Sequence, residues 1–185
     1  MTLQQMLQWG AGWLKEREVP EADLNAWYLL ADCFQMERSG YFLHQEEEAD
    51  AGKEKKFRQM IEKRGQRIPL EYILGYTEFM GLKFEVDSHV LIPRQDTECL
   101  VEQVLPFCPG KKVLDLCTGS GCIGISLAVL GGPAAVVLAD VSGEALKVAE
   151  KNAENHGVKL VFCQGDLFEN VPADLFDVIV SNPPY

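Results

Sequence analysis

Apolar residues return at helical intervals close to the amino terminus. Leu3, Met6, Leu7, Trp9, Gly10 and Trp13 fall on one side of a helical projection over 3–14, and a second run of the same period covers 22–36. Both segments predict amphipathic helices. Trp9 and Trp13, one turn apart on an apolar face, have the spacing of core packing rather than of a ligand platform. The stretch 46–66 is strongly charged, with Phe57, Met60 and Ile61 as a thin apolar stripe. It predicts a helix or helix pair lying on the surface, its charges solvated.

The period changes at Ile68-Pro69. Gly75, Gly81 and the alternation of Leu82, Phe84 and Val86 replace the helical pattern with turn signals and a strand pattern, which predicts a β-hairpin from about 77 to 92. Beyond it, apolar strands at 112–116, 135–139, 159–163 and 177–181 alternate with helical segments at 96–107, 122–130 and 142–155. Strict alternation implies a parallel, doubly wound sheet. The expected organisation is therefore a helical domain (1–75), a β-hairpin linker (76–95) and an α/β domain (96–185), with no internal repeat or low-complexity tract.

With 185 residues and a 47% hydrophobic share, the chain has ample material for packed cores. Charge narrows the partners. Seventeen basic residues against 28 acidic ones give a net charge of -11, the wrong sign for a surface that grips phosphate backbones, so direct DNA binding is not expected. Cys33, Cys99, Cys108, Cys117, Cys122 and Cys163 show no paired metal-ligand spacing and stand mostly in apolar runs. They are read as reduced, buried thiols, with no metal site. The first residues lack a basic stretch followed by an apolar run, and no segment approaches the roughly 18 apolar residues of a membrane span. A cytoplasmic protein without a membrane partner is expected.

Candidate chemistry gathers where the predicted strands end. The run from Val113 to Gly124 is a strand that enters a glycine-rich turn, Cys117-Thr118-Gly119-Ser120-Gly121, and continues as a helix. Ligands of such sheets sit at the carboxyl ends of the strands, and glycine lets the backbone approach them without a Cβ in the way. The second strand ends in Asp140. A carboxylate there either accepts hydrogen bonds from ribose hydroxyls or caps the following helix. After the third strand, Gly165-Asp166-Leu167-Phe168 sets an acid beside apolar side chains, a combination suited to an adenine amine and ring, although Asp166 is equally a turn residue.

The fourth strand runs into Asn182-Pro183-Pro184-Tyr185. An amide or exocyclic amine nitrogen is a poor nucleophile because its lone pair is delocalised, so a site acting on it must orient the group and accept the positive charge growing on nitrogen. The Asn182 side-chain oxygen and the Pro183 carbonyl are acceptors for two N–H bonds, proline fixes its own backbone torsion, and Tyr185 offers a flat stacking face. The bland alternative is an ordinary strand exit, because Asn-Pro commonly starts turns.

Together, the glycine turn, Asp140 and Asp166 resemble the nucleoside-binding set of the class I methyltransferases, and Asn182 to Tyr185 resembles the active-site signature of those acting on planar NH2 groups. The segment Ile68-Pro69-Leu70-Glu71-Tyr72-Ile73-Leu74-Gly75, with Phe79, Gly81-Leu82, Phe84, Val90-Leu91-Ile92-Pro93-Arg94 and Thr97-Glu98, further resembles the linker of the protein-(glutamine N5) methyltransferases of peptide-chain release factors. That resemblance covers essentially the whole chain. It implies a Rossmann-like class I methyltransferase sheet behind a small helical domain that meets the release factor. It also implies S-adenosylmethionine as cofactor, held by Cys117, Thr118, Gly119, Ser120, Gly121, Asp140, Asp166, Leu167 and Asn182. The implied substrate is the glutamine of a Gly-Gly-Gln loop, met by Asn182, Pro183, Pro184, Tyr185 and Arg94, with Asn182, Pro183 and Tyr185 as the catalytic set. Arg94 reads equally as a salt-bridge partner of a nearby acid.

Two departures from the family pattern are visible: Gln95-Asp96 replaces a usual Pro-Glu, and Cys117 replaces a common first glycine. Two rival readings use the same features. One is an amino methyltransferase of adenine N6 or guanine N2 in nucleic acid, which would need basic surface for an unstacked base; the other is a module that binds cofactor without turnover. Because family sheets continue past the tetrapeptide, the sequence also predicts a sheet incomplete at its carboxyl end, in a truncated fragment with little or no activity.

Overall fold

The protein is described by a computed structural model at residues 1–173 and 175–184, and it divides into two compact units, Met1–Leu74 and Gly75–Tyr185. The first unit is helical: α1 (Leu3–Lys15), α2 (Ala22–Phe34), α3 (Arg38–His44), α4 (Ala51–Gly65) and α5 (Leu70–Leu74). A capping box starts α1: Thr2 Oγ1 accepts from the Gln5 N–H at 3.2 Å while Gln5 Oε1 accepts from the Thr2 N–H at 3.0 Å. Helix α2 ends at Phe34, short of Met36, because Gln35 adopts a left-handed conformation with φ 53°. The two short helices α3 and α5 are too brief for periodicity to announce.

The charged segment is more than a surface layer. Asp50 caps α4 by accepting from Gly52 and Lys53, so the helix begins at Ala51. Phe57 and Ile61 on α4 are fully buried with Leu14, Leu29 and Leu30 in the core shared with α1 and α2. Each such side chain is worth about 1.5–3 kcal/mol on burial, whereas an exposed ion pair contributes about 0–1 kcal/mol. The thin apolar stripe therefore outweighs the charges around it. Gly10 permits the close approach, since a Cβ there would lie 2.9 Å from the Phe57 ring. Trp9 and Trp13 pack as their spacing predicts: their rings are 5.7 Å apart and both border this core.

The second unit opens with β1 (Tyr76–Phe79) and β2 (Leu82–Glu85), an antiparallel hairpin. Its two-residue turn, Met80-Gly81, has positive φ at both positions (53° and 71°), as a tight hairpin turn of right-handed twist demands. The hairpin is shorter than expected. After Glu85 the chain turns at Ser88-His89 and reaches Pro93 as irregular structure, because Asp87, Ser88 and Pro93 are poor ladder formers.

There follow α6 (Gln95–Val104) with a 3-10 turn at Leu105–Phe107, β3 (Lys112–Leu116), α7 (Cys122–Leu130), β4 (Ala135–Asp140), α8 (Gly143–Asn155), β5 (Val161–Gln164) and β6 (Val178–Ser181). The last four strands form a parallel sheet in the order β5-β4-β3-β6. Alternation along the strands serves two faces. Val113, Val136, Leu138 and Val180 pack toward α7, α8 and the hairpin phenylalanines Phe79 and Phe84; Leu114, Leu116, Val137 and Ala139 form a second cluster with Cys163. Asp177 fixes the β3–β6 register, accepting from the Lys112 N–H at 2.9 Å while its own N–H reaches the Lys112 carbonyl. Of the six thiols expected to be buried, Cys99 is exposed and Cys117 half-buried. Cys99 shares the polar side of α6 with Gln95, Glu102 and Gln103, so it turns to solvent.

Asn152 on α8 joins three pieces of this unit although no part of it is exposed. Its Oδ1 accepts from the Glu85 N–H at 2.7 Å, and its Nδ2 donates to the Glu85 carbonyl at 3.0 Å and to the Ser120 carbonyl at 2.9 Å. The hairpin and the glycine turn thus share one amide. Asn152→Ala would strand three backbone groups and is expected to destabilise this unit by about 2–4 kcal/mol. Urea unfolding monitored by circular dichroism checks this, and an unchanged midpoint would contradict the assignment.

Candidate active site

Sheet order places the site. Strands β4 and β5 are added on one side of β3 and β6 on the other, so the crevice at the carboxyl ends of β3 and β6 is a topological switch point, where open α/β sheets bind ligands. A cavity of about 800 Å3 opens there, within the size range of small-molecule sites.

The glycine turn is shaped from below by Asp115, the fourth residue of β3, which is fully buried. Its Oδ2 accepts from the Thr118 hydroxyl at 2.6 Å and from the Gly124 N–H at 2.9 Å. Its Oδ1 has no partner among the described residues. Burial pushes this carboxyl up to about 7, against the pull of its two hydrogen bonds and with a further push from the charge of Asp140. Burial likewise raises the neighbouring Cys122 thiol to about 12, so it is an inert packing group. Sequence reasoning passed over Asp115; its signal was a carboxylate at an inward-facing strand position among Val113, Leu114 and Leu116.

From above, Asp140 at the end of β4 holds the same turn. One carboxylate oxygen accepts from the Gly119 N–H at 2.9 Å and the other from the Ser142 N–H at 2.9 Å, next to the cap that Ser142 provides for α8. The cap of α8 is therefore Ser142 and not Asp140, whose carboxylate instead binds the N–H of the cap residue and that of the glycine turn. Each oxygen has spent one acceptor site on backbone and retains another, and the residue lines the cavity.

Of the residues singled out from sequence, Cys117, Gly119, Asp140, Asp166, Leu167, Asn182, Pro183, Pro184 and Arg94 all line this one cavity. Thr118, Ser120 and Gly121 do not. They are buried beneath the turn, Thr118 on Asp115, Ser120 with its carbonyl on Asn152, and Gly121 where a Cβ would lie 2.7 Å from the Ile125 side chain. Tyr185 lies outside the described residues. Arg94, at the N-cap of α6, forms no ion pair among the described residues and is exposed. The cavity wall also includes His89, Val90 and Leu91 from the loop after the hairpin, and Asp96 and Thr97 from the first turn of α6. Of these, only Val90, Leu91 and Thr97 stood in the segment of family resemblance, and no spacing rule marks the others.

The Asn182 side chain is held in place. Its Nδ2 donates to Thr97 Oγ1 at 3.3 Å, and the preceding Ser181 hydroxyl donates to the Leu116 carbonyl at 2.8 Å, which ties the end of β6 to β3.

The family model of the PrmC N-terminal domain matches residues 5–75, and that of the methyltransferase small domain matches residues 94–185. A release factor glutamine methyltransferase of Koribacter versatilis is 38% identical over 189 residues, spanning all of this chain and 68% of the relative. The chain belongs to the release factor glutamine methyltransferase family. Family members so named from Geobacter sulfurreducens and Leptospira interrogans are 40% and 41% identical over 185 and 183 residues, covering 100% and 93% of this chain. The chain spans 65% and 63% of the length of those two relatives. Among solved structures, the Pyrococcus abyssi tRNA (uracil-54, C5)-methyltransferase in complex with S-adenosyl-L-homocysteine superposes with a TM-score of 0.50 at 24% identity, over 59% of this chain and 28% of that one. The M. jannaschii TYW2 in complex with AdoMet also gives 0.50, at 17% identity over 56% of this chain and 48% of that one. These two likenesses establish the fold: a class I methyltransferase sheet.

The buried Asp115 makes a pH prediction for this family member. Its folded pKa lies above the unfolded one, so its contribution to stability is fully present below about pH 4 and is lost as pH rises through about 7. Asp115→Asn carries no such titration. The difference in unfolding free energy between parent and variant should therefore shift in favour of the variant between pH 4 and pH 8, as read from urea denaturation at a series of pH values. A difference independent of pH would refute the buried, proton-retaining carboxyl.

Proposed function

We propose that this chain binds S-adenosylmethionine in the cavity at the switch point and directs its methyl group to the side-chain amide nitrogen of the glutamine in the Gly-Gly-Gln loop of a peptide-chain release factor. The observation that carries the reading is the convergence of Asp140, Gly119, Asp166 and Asn182, from the ends of four different parallel strands, on one cavity in a chain of this family.

The residues fit the cofactor. Gly119 has φ 56° and a Cβ there would meet nothing within 4 Å, so its backbone presents an open face to a ligand. Asp140 would take the ribose hydroxyls on its remaining acceptor sites, Asp166 the exocyclic amine of adenine, and Leu167 and Val141, both exposed at the cavity wall, the faces of the ring. When bound, the cofactor supplies a methyl group on a positively charged sulfur, which leaves as a neutral thioether. The chain's own work is to hold the amide. Asn182 Oδ1 and the Pro183 carbonyl accept its two N–H bonds, orient its lone pair, and favour the positive charge that develops on nitrogen. Asn182, Pro183 and Pro184 would make the substrate face with Arg94, and Tyr185 would stack on it.

The acidic balance, -11 overall, favours a protein substrate over an extruded base. The helical unit 1–75 is assigned to release-factor contact and the segment 76–95 to the linker. Methylation assays on release factor, on a release factor with that glutamine replaced, on tRNA and on DNA test the reading together. Label should enter only the intact release factor, and label in nucleic acid instead would overturn it. Two variants separate the roles. Asp140→Ala should weaken cofactor binding about 10- to 150-fold, the loss of a charge-assisted hydrogen bond, by calorimetry. In a complete enzyme, Asn182→Ala should leave that affinity nearly intact and slow methyl transfer about 100- to 1000-fold in a single turnover.

A further inference from the structure

We propose that Thr97 is a positioning residue for the methyl-accepting amide: its hydroxyl holds Asn182 Nδ2 and thereby turns Asn182 Oδ1 toward the substrate. The inference rests on the reading of Asn182 given above and adds to it the group that sets its orientation.

A carboxamide has two nearly isosteric ends with opposite roles, since oxygen accepts and NH2 donates. A substrate amide nitrogen that is to be methylated offers N–H donors, so only the oxygen of Asn182 can serve it. A freely rotating Asn182 would present the wrong end much of the time. In the structure the wrong end is occupied. Nδ2 donates to Thr97 Oγ1 at 3.3 Å, while Oδ1 accepts no hydrogen bond among the described residues and is not among the buried, unsatisfied atoms. Both residues are half-buried and both line the cavity.

Thr97 is itself well placed to act as a fixed point. It sits in the first turn of α6, where its own N–H donates to the Arg94 carbonyl at 3.0 Å. Its neighbour Glu98 accepts from the Met80 N–H at 2.6 Å, which ties that turn of α6 to the hairpin turn. As a β-branched residue in a helix, threonine has few χ1 options, so its hydroxyl stays where the backbone puts it. The position of Asn182 Oδ1 is thus set through α6 rather than by the strand exit alone.

Thr97→Val keeps the shape and removes the hydroxyl; Thr97→Ser keeps the hydroxyl. In single-turnover methyl transfer from S-adenosylmethionine to release factor, Thr97→Val should lose at least 10-fold in rate with its cofactor dissociation constant within about twofold of the parent's, and Thr97→Ser should recover most of that rate. In an Asn182→Ala background Thr97→Val should cost nothing further, because the group it positions is gone. A Thr97→Val rate equal to the parent's, a serine variant as slow as the valine one, or losses that add in the double variant would each overturn the proposal. Where the parent transfers no methyl group, a second measurement decides on Thr97 alone. In the 15N-asparagine-labelled chain, the Asn182 NH2 resonances, identified by their disappearance in Asn182→Asp, should move in Thr97→Val and not in Thr97→Ser. Unmoved resonances in the valine variant would sink it.

Discussion

One carboxylate oxygen, Asp115 Oδ2, sets the geometry on which the cavity depends. By accepting from the Thr118 hydroxyl and the Gly124 N–H together, it folds the residues between strand β3 and helix α7 into a turn and draws the helix start against the strand end. A buried oxygen with two donors is worth its desolvation; the second oxygen, with no partner, is not. Burial of the whole group, with the charge of Asp140 nearby, raises its proton affinity against the pull of those two hydrogen bonds.

The turn so formed is held from three sides. Asp115 fixes it from beneath, Asp140 reaches Gly119 from the neighbouring strand, and Asn152 takes the Ser120 carbonyl from α8. Because Asn152 also pairs with both backbone groups of Glu85, the hairpin is bonded to the same structure. The floor of the cavity is pinned this way, and preorganised donors and acceptors pay no reorganisation cost at the moment of reaction. Polar side chains with no direct place on the reacting groups therefore account for much of what the site can do.

The sequence made the sheet legible because buried parallel strands such as 112–116 and 135–140 are short apolar runs between helical periods, and the site followed from what stands at their ends. Cys117, Gly119, Asp140, Asp166 and Asn182 are adjacent in space because strand order makes them so, and alternation of elements predicts the parallel sheet that carries them. Other parts had no such signal. His89 and Asp96 reach the cavity through an irregular loop and a helix turn whose paths depend on tertiary packing, and Thr97 stood in the resembling segment without a role. Asp115 was hidden by its company, since a carboxylate inside an apolar strand is informative only once its partners Thr118 and Gly124 are seen. Thr118, Ser120 and Gly121 share a motif with cavity-lining residues but turn inward, where Asp115, Asn152 and Ile125 meet them.

The cysteine that departs from the family pattern shows how differently two positions of one motif constrain their residue. Cys117 has φ 58°, a conformation that costs a non-glycine residue about 1–2 kcal/mol, and this is why glycine is common there. It is half-buried at the cavity wall, so its side chain has room and the cost is conformational only. At Gly124 the backbone is ordinary helix and the constraint is space. A Cβ would lie 3.0 Å from the Asp115 oxygen and 3.1 Å from the Leu138 side chain, at the point where the helix start must touch the sheet. A substitution at the first position carries a modest conformational cost, while one at the second would push the helix off the carboxylate that shapes the turn. The motif tolerates change where it meets the cavity and resists it where it meets the core.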